Sequence, residues 1–411
     1  MDITEIKGAD SLFEATSVIK ESEDNAGNLF GADTYYSTEG SSLCIRAMVY
    51  LVSLYAKKNC RIPLILAARN VHKTFVSAAA LCNVDVEWLF GKDSSYLTCD
   101  IDADMLDKKL ESMLEKPVAV YVTSPDYLGN ILDVKAIAQV CHKHGVLLVV
   151  DNAHGAYLRF LNPSMHPVDL GADMCCDSAH KTLPVLTGGA YLHISKDADP
   201  LFSSKAKNAM ALFASTSPSY LILQSLDFAN KYMSDEFAKK LSDFVALVDK
   251  LKDELVSGGY KLMFNEPLKI TIRSKDYGYI GYELADLLRE QNIECEFCDP
   301  DFVVLMLTLQ LKQDGVQAIR KALLGIPKRT PVTTSCPALT KPKKVMGIHD
   351  AVFSDSCTVS VRESEGKVLS AVTVSCPPAV PVLVCGEQID KNAIEIFEYY
   401  GIDTCEIITE Q

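Results

Sequence analysis

Between Arg61 and Val150 the chain alternates short apolar runs with amphipathic segments of about 10 to 12 residues, and this alternation restricts the fold most. Residues 62–67 read as a strand, 73–82 as a helix, 84–90 as a strand and 103–114 as a helix. Residues 117–123, 134–144 and 146–150 continue as strand, helix and strand. Parallel strands need a crossover of this length, and the helix that fills it covers one face of the sheet. The spacing predicts an α/β fold with a mainly parallel sheet and helices on both faces. In such sheets ligands bind beyond the carboxyl ends of the strands. Arg69-Asn70-Val71-His72, Thr123-Ser124-Pro125, Asp151 and Ser178 all follow strands and would converge there.

The rest of the chain divides around this core. Residues 1–36 read as an N-terminal arm and 37–257 as the major domain, which closes with one long helix over 218–257 stopped by Gly258-Gly259. Residues 258–326 carry strand, helix, strand, helix (268–272, 282–291, 302–309, 315–324) and read as a smaller α/β domain. A proline-rich connection opens the last unit, 327–411, with strands at 358–361 and 368–374 and a helix at 392–399.

Lys181 is the most suggestive single residue. It lies in Asp177-Ser178-Ala179-His180-Lys181-Thr182, after an apolar run ending in Cys175-Cys176. Asp151 ends another apolar run, so its carboxylate is expected to be partly buried and to need a charged partner. A pyridoxal phosphate site requires a lysine amine for a Schiff base, a carboxylate to keep the pyridine nitrogen protonated, and hydroxyl and imidazole groups at the phosphate. The plainer readings are a surface lysine in a turn and an aspartate in a structural salt bridge or helix cap. Gly40-Ser41-Ser42 precedes a helical apolar pattern, and free N–H groups at a helix start attract phosphate, although most such caps bind nothing. Glu39 beside it should point away from an anion. His72 suits either a ring-stacking imidazole or a hydrogen-bonded loop residue. Ser215-Thr216-Ser217-Pro218 marks a helix start that could also offer hydroxyls.

Composition narrows the class. No apolar stretch approaches the ~20 residues of a membrane span. The acidic N-terminus has no basic region followed by an apolar one, which argues against a signal peptide. A net charge of −14 argues against nucleic-acid binding. The 14 cysteines lack framework spacing, as expected of reduced thiols in a cytoplasmic protein. Cys295-Glu296-Phe297-Cys298 has no second pair, and Cys141-His142-Lys143-His144 falls at a helix end, so no metal is expected.

Taken together in order, these segments resemble the Orn/Lys/Arg decarboxylases, pyridoxal phosphate enzymes of the aminotransferase-like fold. The resemblance rests on Phe30-Gly31-Ala32-Asp33 with Gly40-Ser41-Ser42, Arg69-Asn70-Val71-His72-Lys73-Thr74, and Thr123-Ser124-Pro125-Asp126-Tyr127-Leu128-Gly129. It continues through Asp151-Asn152-Ala153-His154-Gly155, Ser178-Ala179-His180-Lys181-Thr182, Thr187-Gly188-Gly189-Ala190, Ser215-Thr216-Ser217-Pro218, Gly281-Tyr282-Glu283-Leu284, and Pro377-Pro378 to Gly386-Glu387. It implies that Lys181 carries the cofactor, Asp151 pairs with the pyridine nitrogen, His72 stacks on the ring and His154 lies beside it. Gly40, Ser41, Ser42, Ser178 and His180 would hold the phosphate. Lys181, Asp151, His72 and His180 would be catalytic, with Lys181 or His180 returning a proton after CO₂ leaves. Thr216 would reach a partner subunit's phosphate in a homodimer or larger homo-oligomer, and Glu387 would meet the substrate's distal cation. The implied reaction is decarboxylation of lysine, arginine or ornithine. The same cofactor apparatus would also serve an aminotransferase, a lyase, or a regulator that binds the cofactor without turnover. The family reads Asp-Glu-Ala-His where this chain has Asp151-Asn152-Ala153-His154, and its C-terminal substrate segment differs more than its cofactor half. The chain is expected to lack the additional N-terminal domain of the large inducible members.

Overall fold

The computed structural model describes residues 2–3, 6–92, 95–263, 266–372 and 379–409. Helix α1 (Val18–Phe30) leads into strand β1 (Ala32–Ser37) and α2 (Gly40–Lys58). The alternation follows as β2 (Leu64–Ala68), α3 (Lys73–Cys82), β3 (Asp85–Leu89), α4 (Ala103–Ser112), β4 (Ala119–Thr123), α5 (Val134–Lys143) and β5 (Leu147–Asp151). Helices start where a side chain satisfies a free backbone N–H: Asp102 accepts from Met105 at 2.7 Å and Asp133 from Ala136 at 3.0 Å. Strand β6 (Met174–Asp177) and the single turn α6 (Ala179–Thr182) precede β7 (Ala190–Ser195), α7 (Pro200–Ala211), α8 (Tyr220–Ser234) and α9 (Phe237–Ser257).

These strands form one seven-stranded sheet in the order β1-β7-β6-β5-β4-β2-β3. Only β7 runs against its neighbours; the pairs from β6 to β3 are parallel. Helices α2, α3 and α7 cover one face around Met48, Phe75 and Phe202, and α4 and α5 cover the other around Leu106 and Ile137. Every residue of β5 is buried, which is why its sequence is continuously apolar rather than alternating. Each such Val or Leu contributes about 1.5–3 kcal/mol by burial.

The C-terminal part adds β8 (Leu262–Met263), β9 (Lys269–Arg273), α10 (Gly281–Arg289), β10 (Phe297–Cys298), β11 (Phe302–Met306) and α11 (Lys312–Gly325). Its sheet is antiparallel, in the order β10-β11-β9-β8. Helix α12 (Ile348–Val352), strand β12 (Ser356–Ser360), helix α13 (Lys391–Tyr399) and strand β13 (Thr404–Ile408) finish the chain, with β12 and β13 paired antiparallel.

Four expectations need correction. The N-terminal arm is part of the main layer: α1 packs on α8, and β1 pairs with β7. This strand escaped notice because its polar side chains find buried partners, such as Thr34 Oγ1 with His193 Nδ1 at 2.9 Å. The long helix is two helices, broken at Asp235-Glu236, where Glu236 adopts φ 48°. Asp235 competes for the backbone with its own side chain and is a poor helix former. Of the strand expected over 368–374, Val368 and Leu369 make single bridges to Gln388 and Ile407, and residues 373–374 lie outside the described residues. The described residues of the last unit share their cores with the rest of the chain. Ile348, Ala351, Val384 and Cys385 enter the core beside β2 and α3, while Phe397 and Ile407 share one with Phe297 and Val304. No helix among the described residues is long and apolar enough to cross a membrane.

Candidate active site

The carboxyl ends of β2, β4, β5 and β6 open on a cavity of about 290 Å³. Its wall includes Gly40, Ser41, Ser42, Asn70, His72, Thr123, Tyr127, Asp151, His154, Ser178, His180 and Lys181. Nine residues given a role from the sequence therefore meet in one place, as the strand-end rule requires.

Lys181 lies on α6, and its Nζ is 2.9 Å from His154 Nε2. Burial pushes the Lys181 amine below its usual range, while Glu296 and Asp151 pull the other way. Burial, together with Lys181 and Lys269, holds His154 well below the ordinary imidazole value, so it is neutral and can accept from the amine. The ring of Tyr127 stands edge-on to His154 at 5.0 Å, and Lys181 Nζ lies 5.7 Å from its centroid.

Asp151 closes β5 at the floor of the cavity. Its Oδ1 accepts from the Ala153 N–H at 3.1 Å and its Oδ2 from Tyr121 Oη at 3.4 Å. Burial raises this carboxyl, with the Ala153 N–H and Lys181 opposing. No cation forms an ion pair with it among the described residues. A buried carboxyl in this state favours a ligand that brings a charged N–H donor.

Opposite, α2 starts at Gly40 with φ 70°, and a Cβ there would meet nothing within 4 Å. The first turn of this 19-residue helix has no side-chain cap, so its free N–H groups face the opening. Glu39 is turned away, as expected, and accepts from the Ser215 N–H at 2.7 Å. Ser178 Oγ donates to Ser41 Oγ at 2.8 Å, and Ser42 Oγ lies 3.2 Å from Thr74 Oγ1. His180 Nδ1 is 3.0 Å from the Gly189 carbonyl, which it can reach only as a donor. His72 caps α3, accepting from the Thr74 N–H at 3.2 Å. Burial, then Lys181 and Lys73, push His72 down to about 4, so it is a neutral aromatic ring at neutral pH. Asn70 Oδ1 and Thr123 Oγ1 are buried without a hydrogen-bond partner and also belong to the cavity wall. An anion cup, an uncompensated carboxyl and orphaned polar atoms around one lysine fit pyridoxal phosphate.

A second layer lies beneath. Asp177 Oδ2 is 3.1 Å from His166 Nε2 and 3.2 Å from His193 Nε2, and its Oδ1 accepts from Asn152 Nδ2 at 2.6 Å. Burial would raise this carboxyl, but the two imidazoles outweigh it and hold it below the carboxylate range. Asn152 thus has a reason to replace the family's Glu: a second carboxylate would meet Asp177 with no donor between them. Asn152→Ala should leave Asp177 Oδ1 without its side-chain donor and cost about 1–3 kcal/mol. Urea unfolding of wild type and variant measures this.

Two expected site residues lie elsewhere. Glu387 is 3% exposed; its Oε2 receives Arg69 Nη2 at 2.9 Å and the Val384 N–H at 2.7 Å. The carboxylate is engaged by Arg69 and is not in the cavity wall. Thr216 is exposed on the loop between α7 and α8 and is not in the cavity wall of its own chain. Pro377 and Pro378 lie outside the described residues. Cys295 and Cys298 are partly buried thiols whose pKa values burial pushes upward. His142 and His144 point to different carboxylates, Asp173 and Asp107. Sequence reading assigned no role to Tyr127, Asn70 or Thr123. The strand-end rule had already grouped Asn70 and Thr123 with the converging residues, and it could have nominated Tyr127 too, four residues past the end of β4.

The major domain described as Orn/Lys/Arg decarboxylase matches residues 1–261. The chain belongs to the Orn/Lys/Arg decarboxylase family. It is 31% identical to the uncharacterized protein YaaO of Bacillus subtilis, over 96% of this chain and 84% of that one. It is 27% identical to an arginine decarboxylase of Halalkalibacterium halodurans, over 95% of this chain and 83% of the other. Among solved structures, lysine decarboxylase A from Pseudomonas aeruginosa aligns with a TM-score of 0.81 at 15% identity, covering 99% of this chain and 74% of that one. That likeness bears on the fold, which is the aminotransferase-like α/β fold of pyridoxal phosphate enzymes.

Proposed function

We propose that this member of the Orn/Lys/Arg decarboxylases is a pyridoxal phosphate-dependent decarboxylase that releases CO₂ from arginine, lysine or ornithine. The observation that carries this reading is the convergence of Lys181, Asp151, His72, His154 and the Gly40–Ser42 helix start on one cavity. Bound pyridoxal phosphate supplies an electron sink for the bond to the departing carboxylate. The chain's own residues do the rest. Lys181 would tether the cofactor, and burial lowers its pKa towards the neutral, nucleophilic form. Asp151 would hold a proton on the ring nitrogen, and His72, neutral, would lie against the ring without competing for charge. The serines, His180 and the start of α2 would hold the phosphate.

The departing carboxylate leaves most easily where no cation holds it. Arg69 is the strand-end cation closest in sequence to His72, and it is turned away: Nη2 donates to Glu387 and to the Val382 carbonyl at 2.9 Å. Lys181, or His180 beside it, is placed to return a proton to the carbon that loses CO₂.

We further propose a homodimer or larger homo-oligomer with the site near the subunit interface. There the exposed Thr216 would serve the phosphate of the partner subunit. The described cysteines are all unpaired, which fits a reducing cytoplasm. The test is CO₂ release from lysine, arginine and ornithine by protein loaded with pyridoxal phosphate. CO₂ from at least one is expected. A keto acid without CO₂ would point to transamination. A cofactor band with no product from any amino acid would point to a non-catalytic role.

A further inference from the structure

We infer that Glu296, held by Tyr127, is the carboxylate that recognises the distal cation of the substrate. This rests on the decarboxylase reading above and gives that site its side-chain specificity. Basic amino acids share the reacting amine and carboxylate with every other amino acid, and only the cation at the far end distinguishes them. Selecting them requires an anion at the far side of the cavity from the cofactor.

Asp151 is the one carboxylate in the cavity wall among the described residues, and those behind the wall differ in how far they are already engaged. Asp151 lies at the end of β5, where the ring must be anchored. Asp126 is buried, and its Oδ1 is occupied by the N–H groups of Leu128 and Asn130. Glu266 binds Tyr157 and pairs with Lys269 at 3.5 Å. Glu387 is committed to Arg69. Glu296 differs from all of these. It precedes β10 in the smaller antiparallel sheet, half-buried, with its N–H donated to the Val304 carbonyl at 2.9 Å. It makes no ion pair within 4 Å among the described residues, and its Oε1 accepts from Tyr127 Oη at 3.2 Å.

Tyr127 links this carboxylate to the reacting centre. One end of its ring system meets His154 and Lys181; the hydroxyl at the other end holds Glu296. A side chain running out from the Lys181 amine along this ring finds an aromatic surface favourable to a cation and then a carboxylate. Glu296 is also the carboxylate that most strongly favours the charged form of Lys181. The same field of Glu296 would favour any cation placed near it in the cavity.

The probes are agmatine and cadaverine, which carry a distal cation, against pentylamine, which lacks one. Each is titrated calorimetrically into protein loaded with pyridoxal phosphate. Wild-type protein is expected to prefer the two dications. Glu296→Gln should reduce that preference roughly 10–100-fold, the worth of one charge-assisted contact, and raise KM for the basic substrate more than it lowers kcat. Tyr127→Phe should reduce the preference less, roughly 2–10-fold, by freeing the carboxylate from one hydrogen bond. A preference kept within two-fold in Glu296→Gln, while wild type decarboxylates a basic amino acid, overturns this inference and leaves the decarboxylase intact. Wild-type protein that neither discriminates the amines nor releases CO₂ from any basic amino acid overturns both.

Discussion

Lys181→Ala should abolish the absorbance band of lysine-linked pyridoxal phosphate and lower CO₂ release on the order of 10⁴–10⁶-fold, as removal of a covalent catalytic group does elsewhere. The side chain has two duties at one atom. Its Nζ is the cavity's primary amine, 2.9 Å from a neutral imidazole that can accept its proton. No other lysine lines the cavity among the described residues. Lys269 is near, but its ammonium donates to the Asp126 carbonyl at 2.9 Å and pairs with Glu266, so it cannot substitute. Fold integrity should survive, because trimming a buried amine also removes its desolvation cost. Absorbance spectra with added cofactor, next to a CO₂ assay, check both halves. A band that persists in Lys181→Ala would remove this residue from its role.

Asp151→Asn is expected to act differently: the cofactor still binds, more weakly, and kcat falls roughly 10²–10³-fold, the range seen when one preorganised electrostatic partner is removed. Asparagine is nearly isosteric and keeps the contacts to Ala153 and Tyr121. It carries no charge to hold a proton on the ring nitrogen, so the ring becomes a weaker acceptor of the electron pair left by CO₂. Binding of pyridoxal phosphate followed by fluorescence, set against kcat for the best basic substrate, separates the two effects. Equal kcat in Asp151→Asn and wild type would show that this carboxyl has no part in the chemistry.

Much of the cofactor half could be read along the chain. Four buried positions in β5, Leu147 to Val150, continue an apolar run, and a polar residue right after such a run marks a strand end on which a ligand can sit. That pattern points to Asp151 and Ser178, whereas His72 stands out only through the family resemblance. Strand β1 was missed for the converse reason. Its Asp33, Thr34 and Tyr35 look like loop residues until Ser203, His193 and the Ser203 carbonyl are known to receive them. Asn152 looked like a departure from the family pattern until Asp177, His166 and His193 appeared beneath it.

The substrate half shows the limit most clearly. Glu387 stood in a motif and Glu296 did not, yet folding reverses their prospects. Arg69 and Glu387 lie 318 positions apart and meet only in the folded interior, where an unpaired charge would be costly and a paired one is no longer available to a ligand. Local periodicity and strand-end position were enough for the parallel strands β2 to β5 and for the polar residues at their ends, because each depends on neighbours within a few residues. Which carboxylates stay free to meet a substrate depends on pairing between distant segments, and only the packed molecule decides that.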